Sequence, residues 1–335
     1  MDLTIKDIAK MAGVSPATVS KIINNYGGIS EPTRQKVFKI IEDTEYQPTF
    51  SAKSLATKKS NLIGLIYAGE INVDLKHPFF NEVVNAFKKS VGALGYDLLL
   101  FSNERFYKGE SKYLERCKHF SVDGVLVIAG DEVEDAVLEI AESPIPSVGI
   151  DLKLEGKHSS YLMTDNEKIG HKVVEYLYLN QIRKVAYIGG KQNSLVSSIR
   201  NEGFLKAMKS FNMPIVENWV KYGDFFEESG YRSMVEILDG GEYPQAVFAA
   251  SDMMALGALK AIKERGLSVP EDIQLIGCDD IEACRYSDPP LSTVKQDKQK
   301  LGKLAAYMLD DLIQENGEIH PVKVDPELIV RSSSL

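Results

Sequence analysis

Short apolar runs alternate with longer amphipathic segments from residue 61 to the end of the chain, and few folds accommodate that alternation. The apolar runs predict strands at 62–67, 97–101, 124–128, 147–150, 185–188, 220–222, 246–250 and 273–276. The amphipathic segments predict helices over 80–94, 110–119, 132–142, 166–180, 198–211, 227–238, 253–265 and 297–315. This pattern is typical of parallel sheets covered by helices on both faces, and its two runs predict an α/β protein with two lobes. Ligands of such sheets bind beyond the carboxyl ends of the strands, so two facing lobes would form a cleft.

The first 48 residues show a helical pattern instead. Thr4 is positioned to cap a first helix, and Gly13 ends that helix. Ser15 and Pro16 begin a second helix, and Ser30 caps a third. Two short helices joined by a tight glycine-containing turn, with a third helix packed behind them, predict a helix-turn-helix domain.

Charge separates this N-terminal segment from the rest of the chain. Residues 1–60 contain nine Lys and Arg and six acidic residues, which gives this segment a net charge of +3. The remaining residues carry −12, so the whole chain has a net charge of −9. Only the N-terminal segment therefore suits a polyanion. Its second helix would let Lys21 donate to guanine and the Ala17 methyl contact thymine. A purely structural three-helix bundle is the alternative, and the basic charge together with the helix spacing favours double-stranded DNA.

Composition and motifs argue against several other classes of protein. Apolar residues make up 44% of the 335 residues and no apolar run is long enough to span a membrane, so we expect neither a disordered chain nor a membrane protein. The N-terminus lacks the basic start and apolar stretch of a secretory signal, and the three cysteines are scattered, which predicts a cytoplasmic protein. The sequence shows no nucleophile elbow, phosphate-binding loop or zinc-ligand spacing, and we expect no catalysis, cofactor or metal.

The N-terminal residues resemble those of a known family. The matching string is Thr4-Ile5-Lys6-Asp7-Ile8-Ala9, Ala12-Gly13-Val14-Ser15, Thr18-Val19-Ser20, Ile23-Asn24, Ile29-Ser30, Thr33-Arg34 and Ser54-Leu55-Ala56. It resembles the headpiece and hinge of the lactose-repressor (LacI/GalR) family of bacterial transcription regulators.

This resemblance implies a role for each DNA-facing position. The residues that would read bases in the major groove are Pro16, Ala17 and Lys21. The residues that would hold phosphates are Ser15, Thr18, Ser20 and Asn24. Leu55 would wedge into the minor groove at the centre of a palindromic operator, with Ala52 beside it. Because Pro16 and Ala17 cannot make bidentate hydrogen bonds, more of the specificity should fall on Lys21 and on DNA shape.

The resemblance also implies three parts along the chain. These are a helix-turn-helix domain over 1–48, a hinge helix over 49–60, and an effector-binding and dimerisation domain over 61–335. Composition alone favours a plain linker for the hinge segment. The large domain would have the fold of periplasmic sugar-binding proteins, with three strands crossing between its lobes. Its N-lobe would comprise about 61–160 and 292–320, and its C-lobe about 161–291 and 321–335.

Further family landmarks lie along the large domain. They are His77-Pro78-Phe79-Phe80, Gly223-Asp224-Phe225, Ser251-Asp252-Met253-Met254-Ala255, Gly277-Cys278-Asp279-Asp280 and Pro289-Pro290-Leu291-Ser292-Thr293-Val294-Lys295-Gln296-Asp297. The candidate effector-binding residues are Phe80, Asp151, Arg200, Phe225, Asp252, Asp279 and Gln296. The three acidic residues follow predicted strands, where their carboxylates would accept ligand hydroxyls, and the two aromatic rings would stack on a ligand ring. Arg200 and Gln296 match family positions, and a turn, a helix cap or the core is the ordinary alternative for such residues.

Acidic groups, one arginine and flanking aromatic rings fit a neutral polyhydroxylated ligand. We therefore expect a repressor of a carbohydrate operon that binds DNA as a homodimer and is released by a sugar-like effector. A purine or other base that acts as corepressor and tightens DNA binding is the alternative within this class. A solute-binding receptor and a sugar-acting enzyme are the alternatives outside it.

Overall fold

The structure, a computed structural model, describes residues 3–24, 26–46, 59–68, 75–101, 112–129 and 135–335. The chain divides into two compact units, Met1–Asn61 and Leu62–Leu335. The predicted hinge helix falls on residues 49–60, of which 49–58 lie outside the described part of the chain.

The N-terminal unit contains three helices, α1 (Ile5–Ala12), α2 (Pro16–Ile23) and α3 (Glu31–Asp43). Helix α1 begins in a capping box, in which the backbone N–H and hydroxyl of Thr4 donate to the Asp7 carboxylate at 2.9 and 2.6 Å. The hydrogen bonds from Thr4 hold the pKa of Asp7 below its ordinary value. Gly13 closes α1 at φ +69°, a left-handed conformation that a side chain would strain, and so turns the chain toward α2.

A small apolar core joins these three helices. It is formed by Ile8, Ala9, Ala12, Val19, Ile22, Val37 and Tyr46. Its members come from all three helices and from Tyr46, three residues beyond α3, so burial of this core holds the three helices together.

The second unit contains two six-stranded sheets. The first sheet has the order β2-β1-β3-β4-β5-β11, and every pair of neighbours is parallel. Its strands are β1 (Leu62–Ala68), β2 (Asp97–Leu100), β3 (Gly124–Ala129), β4 (Ser147–Ile150), β5 (Ser159–Thr164) and β11 (Val322–Val324). We call this sheet and its helices the N-lobe; the helices are α4 (Pro78–Ala93), α5 (Tyr113–Phe120), α6 (Asp135–Glu142) and α11 (Lys298–Ile313).

The second sheet, with its helices, is the C-lobe. Its order is β7-β6-β8-β9-β10-β12, and only β12 runs antiparallel to its neighbour. The strands are β6 (Val185–Gly189), β7 (Val220–Tyr222), β8 (Ala246–Ala249), β9 (Gln274–Asp279), β10 (Ser292–Lys295) and β12 (Glu327–Ile329). The helices are α7 (Asn166–Leu179), α8 (Leu195–Ser210), α9 (Glu227–Leu238) and α10 (Asp252–Glu264). The expected two-lobed α/β architecture is confirmed.

The chain crosses between the sheets three times, and these crossings shift the expected lobe boundaries by a few residues. They lie at residue 165, at 296–297 and at 325–326. Strand β5 therefore belongs to the N-lobe through residue 164, and β10 belongs to the C-lobe because it pairs with β9. A strand joins a sheet through its hydrogen-bonded neighbour, which its own sequence does not reveal.

Four strands lie outside the predicted set, namely β5, β10, β11 and β12. Two of them have only three residues, and β5 and β10 begin with serine and contain threonine, so their apolar signal is weak. Strand β9 extends three residues beyond the predicted end, to Asp279. Among the described residues, no helix has the length and apolarity needed to cross a bilayer.

Helices α4 and α11 pack against each other at the distance of backbone contact. A Cβ added at Gly302 of α11 would lie 2.3 Å from the backbone oxygen of Val83 in α4. We expect Gly302→Ala to lower the free energy of unfolding by about 1–3 kcal/mol, because the two helices must separate to admit one methyl group. Urea unfolding of the full chain measures this change.

Gly92 provides the matched control within the same helix pair. It lies in α4, and nothing lies within 4 Å of a Cβ added there. Gly92→Ala should raise the free energy of unfolding by about 0.5–1 kcal/mol, since alanine loses less backbone entropy in a helix. Equal destabilisation by both substitutions would contradict the close packing of α4 and α11.

Candidate functional site

The surface of α2 presents the residues expected to contact DNA. Ser15, Pro16, Ala17 and Lys21 are exposed, and Thr18, Ser20 and Asn24 are half-buried. Pro16 and Lys21 lie at opposite ends of the helix, so its solvent face presents a small apolar end and a cationic end. Ala52 and Leu55, the other expected DNA contacts, lie outside the described residues.

Hydrogen bonds within α2 already engage part of this set. The Ser15 hydroxyl accepts from the backbone N–H of Thr18 at 3.1 Å and caps the helix. The side-chain amide of Asn24 donates to the backbone oxygen of Ser20 at 2.9 Å. Lys21 makes no such bond within the described chain and is the most adaptable donor of the set.

A cavity lies between the two lobes of the second unit. It encloses about 340 Å³ that atoms do not fill, part of it open to solvent. Its lining residues are His77, Phe79, Phe80, Asp151, Val196, Arg200, Phe225, Asp279 and Gln296. Six of the seven expected effector-binding residues are therefore brought together, although they are distant in sequence.

Aromatic rings form the apolar part of the cavity. Phe79 and Phe80 lie in the first turn of α4 and meet edge to face, with ring centroids 5.0 Å apart. Phe225 lies on the opposite lobe at φ +73°. Its ring covers Gly190, where an added Cβ would lie 2.0 Å from the phenyl Cζ, so a larger residue there would displace the ring. Burial lowers the pKa of His77, whose imidazole lies 5.6 Å from the ring of Phe80.

Arg200 is the buried cation of the cavity. Its Nε donates to Asn166 Oδ1 and its Nη1 to the backbone oxygen of Ala250, both at 2.7 Å. These bonds fix the guanidinium plane and use two of its five N–H donors.

Two carboxylates and one amide supply acceptors. Burial raises the pKa of Asp151 from 3.8 to about 6, and the positive charge of Arg200 opposes that rise. Asp279 Oδ1 accepts from Gln296 Nε2 at 2.6 Å. Asp151 Oδ1, Asp279 Oδ2 and Gln296 Oε1 are buried and meet no donor among the described residues. The cavity therefore presents three acceptors that a bound molecule can satisfy.

Asp252 differs from the expectation that it faces the effector. It begins α10, is fully buried and does not line the cavity. Its two carboxylate oxygens accept from the Thr293 hydroxyl at 2.6 Å and from the backbone N–H of Ile281 at 2.9 Å. Burial raises its pKa to about 7, and the nearby Asp279 carboxylate adds to the rise. Through these bonds Asp252 supports the loop after β9 from the side away from the cavity. The prediction was wrong because a position at the end of a strand does not tell which way the side chain points.

Four residues of this site lie outside the set predicted from the sequence. His77, Phe79 and Val196 line the cavity, and Asn166 orients Arg200. The string His77-Pro78-Phe79-Phe80 gave a signal for the first two. Val196 and Asn166 have no distinctive sequence signal, since their roles follow from where α7 and α8 begin.

Comparison with known proteins gives two family matches and close full-length relatives. Residues 4–49 match the family described as bacterial regulatory proteins, lacI family, and residues 174–334 match a periplasmic binding protein-like domain. The HTH-type transcriptional repressor PurR of Pasteurella multocida (strain Pm70) is 35% identical over 332 residues, 98% of each chain. PurR of Yersinia pestis (strain Pestoides F) is also 35% identical, over 98% of this chain and 96% of its own.

Solved structures agree over the full length. The Lac repressor dimer bound to operator and the anti-inducer ONPF aligns over 100% of both chains, with 28% identity and a TM-score of 0.86. A complex of the transcriptional regulator CelR with cellobiose covers 99% of this chain and 100% of its own, with 28% identity and a TM-score of 0.75.

The raised pKa of Asp151 predicts a pH-dependent cost to stability. Between about pH 4 and 6 the folded chain retains a proton that the unfolded chain releases, so this group lowers stability as pH rises. The full cost above pH 6 is about 3 kcal/mol. Asp151→Asn should therefore raise the free energy of unfolding by up to about 3 kcal/mol at pH 7.5 and change it little near pH 4.

Urea unfolding of wild type and variant at both pH values measures this difference. Glu202→Gln, which removes an exposed carboxylate from α8, is the control. An effect of Asp151→Asn that is the same at pH 4 and pH 7.5 would show that Asp151 is ionised at both.

Proposed function

This chain belongs to the lacI family of bacterial regulatory proteins, and we propose that it represses carbohydrate-utilisation genes until a small sugar-like effector releases it from DNA. It is a DNA-binding transcriptional repressor and not an enzyme. We further propose that two chains form a homodimer, which would set two copies of α2 on the half-sites of a palindromic operator.

The proposed DNA contacts follow from the surface of α2. Its capped N-terminus, with Ser15 and Thr18, suits phosphate oxygens. Lys21 is the one exposed side chain of the proposed base-reading set that can donate to guanine O6 and N7. Pro16 and Ala17 offer apolar contact to thymine methyl groups.

The three acceptors without donors support a hydroxyl-rich effector. Asp151 Oδ1, Asp279 Oδ2 and Gln296 Oε1 belong to residues that line one cavity together with aromatic rings. A sugar supplies several hydroxyl donors from one compact ring and presents an apolar face to Phe80 or Phe225. Buried acceptors that lack donors cost free energy, and a ligand that satisfies them recovers it.

Charge limits the effector further. Two carboxyl groups line the cavity against a single guanidinium, and Asp151 adds its negative charge above about pH 6. A phosphorylated or carboxylated ligand would meet this charge in a poorly solvated space. We therefore propose an unphosphorylated sugar.

Release from DNA requires the effector to distinguish two conformations. An effector that spans the cleft contacts residues of both lobes and so favours one arrangement of them. Operator affinity falls only if that arrangement binds DNA more weakly, and the effector must bind the two arrangements with different affinity.

A purine or another planar base is the second candidate, acting as a corepressor. Two observations favour it: flat rings surround the cavity on both lobes, and the curated relatives are PurR repressors. A corepressor would tighten operator binding instead of weakening it.

A ligand screen tests these proposals. The screen contains unphosphorylated sugars, among them cellobiose, together with sugar phosphates and the bases guanine, hypoxanthine and adenine. We expect one of the unphosphorylated sugars to raise the melting temperature of the protein. A ligand at about 100 times its Kd adds about 2.7 kcal/mol to the free energy of unfolding. Operator titration with each hit should then show weaker DNA binding for a sugar.

Each class of hit has a different meaning in this screen. Tighter operator binding in the presence of a base would contradict the sugar effector and support a purine corepressor. A sugar phosphate that binds more tightly than its parent sugar would contradict the charge argument. No change of operator affinity with any compound would overturn the effector-controlled switch.

Lys21→Ala tests base reading by α2. Loss of one bidentate contact to guanine should weaken operator binding by about 1–3 kcal/mol and reduce discrimination against a site altered at that guanine. Lys39→Ala, which removes an exposed lysine from α3, is the control for loss of charge alone. If Lys21→Ala weakens operator and altered site equally, Lys21 contacts phosphate instead of a base.

A further inference from the structure

Lys298, the first residue of α11, has a buried ammonium group at the second crossing between the lobes. Only 7% of the residue is exposed. Its Nζ donates to the backbone oxygens of Asp279 and Asp280, both at 2.7 Å, and lies 3.7 Å from Glu82 Oε2. An ammonium has three donors, and three acceptors surround this one.

The two backbone oxygens belong to the strained end of β9. Asp279 has φ +128° and Asp280 has φ +53°, so the chain leaves the sheet through two consecutive left-handed residues. Asp279 is the last residue of β9 in register with β10, opposite Lys295, and Asp280 lies beyond that pairing. Lys298 supplies a hydrogen bond to the backbone oxygen of each of these two residues.

The contacts of Lys298 extend to both lobes. Helix α11 packs on α4 and the N-lobe sheet, and Glu82 lies on α4 itself. Asp279 and Asp280 end a strand of the C-lobe sheet, and the C-lobe residue Arg331 pairs with the Asp280 carboxylate. A single side chain of the N-lobe framework therefore holds the C-lobe strand end that presents Asp279 to the cavity.

Another lysine at the crossings provides a contrast. Lys168 lies near Asp165 and Asp325, one residue in each of the other two crossings, and its side chain is 54% exposed. Ion pairs this exposed contribute little, since water replaces either partner. Water cannot reach the Lys298 contacts as freely, so their loss leaves buried acceptors unsatisfied.

We propose that Lys298 is the positioning residue that joins the two lobes, because it ties the backbone after β9 to α11 and α4. It fixes the position of the Asp279 carboxylate and the relative placement of the lobes together. The significance of this tie for gene control rests on the proposed function, whereas the tie itself requires no effector.

Spin-label distances between the lobes test the proposal without any ligand. Lys89→Cys on α4 and Lys209→Cys on α8 place labels on exposed positions of opposite lobes, and the three native cysteines are buried. Labelled chains are diluted with unlabelled chains so that only distances within one chain count. We expect Lys298→Met to broaden the distance distribution about twofold, since the lobes then sample more arrangements.

Hydrogen exchange of the segment after β9 provides the second measurement. The backbone N–H of Ile281 donates to Asp252 at 2.9 Å and reports whether this loop keeps its place. Lys298→Met should speed exchange over residues 279–283 by about tenfold, because local opening becomes easier. Lys298→Gln takes its place in both measurements if the methionine variant fails to fold.

Two further variants separate the hydrogen bonds from side-chain shape. Lys300→Met removes an exposed lysine two residues along α11 and should leave both measurements as in wild type. Lys298→Arg keeps a cationic donor and should retain most of the narrow distribution.

The outcomes decide the proposal in either direction. A broad distribution and fast exchange in Lys298→Met, with both restored toward wild type in Lys298→Arg, support it. Wild-type behaviour of Lys298→Met overturns it, and so does equal broadening in the methionine and arginine variants. A repressor that responds to no ligand would remove the proposed effector and leave these results unaffected.

Discussion

Three crossings of the chain between two parallel sheets determine where every polar group of the cleft lies. Parallel strands end at a common edge, and the crossings turn the carboxyl ends of both sheets toward one cavity. Asp151 after β4, Asp279 at the end of β9 and Gln296 in the second crossing therefore meet, although more than a hundred residues separate the first two. Movement of the lobes relative to each other bends these crossings, and a ligand between the lobes can bias such a movement.

The cleft is built from backbone conformations that side chains disfavour. Asp151, Phe225, Asp279 and Asp280 all have positive φ, between +53° and +128°. Left-handed residues other than glycine cost of order 1–3 kcal/mol each and persist only where their surroundings hold them. Here the surroundings include Lys298, whose ammonium group donates to the backbone oxygens of Asp279 and Asp280. The side chains of these two adjacent residues contact different partners, Gln296 and Arg331. The strain is concentrated where the cavity needs its polar groups.

The sequence predicted the repeated architecture well and the details of the site less well. Alternating patterns identify β1–β4 and their helices because those strands are apolar and well separated, whereas β11 and β12 are too short to give a pattern. Asp252 shows what local sequence does not determine. Its position after a strand resembles that of Asp151, yet the chain packs α10 so that its carboxylate turns toward Thr293. The direction of a side chain depends on neighbours that only the folded chain brings together.

The cleft has buried acceptors that meet no donor among the described residues, and these acceptors link stability to binding. Polar groups without partners cost free energy in the free protein, so a molecule that brings donors regains what the fold has lost. Protonation of Asp151 below about pH 6 changes the count, because a neutral carboxyl both donates and accepts. The cavity then has one acceptor fewer and one negative charge fewer. A cleft of this kind selects its ligand by hydrogen-bond polarity as much as by shape, and that selectivity itself depends on pH.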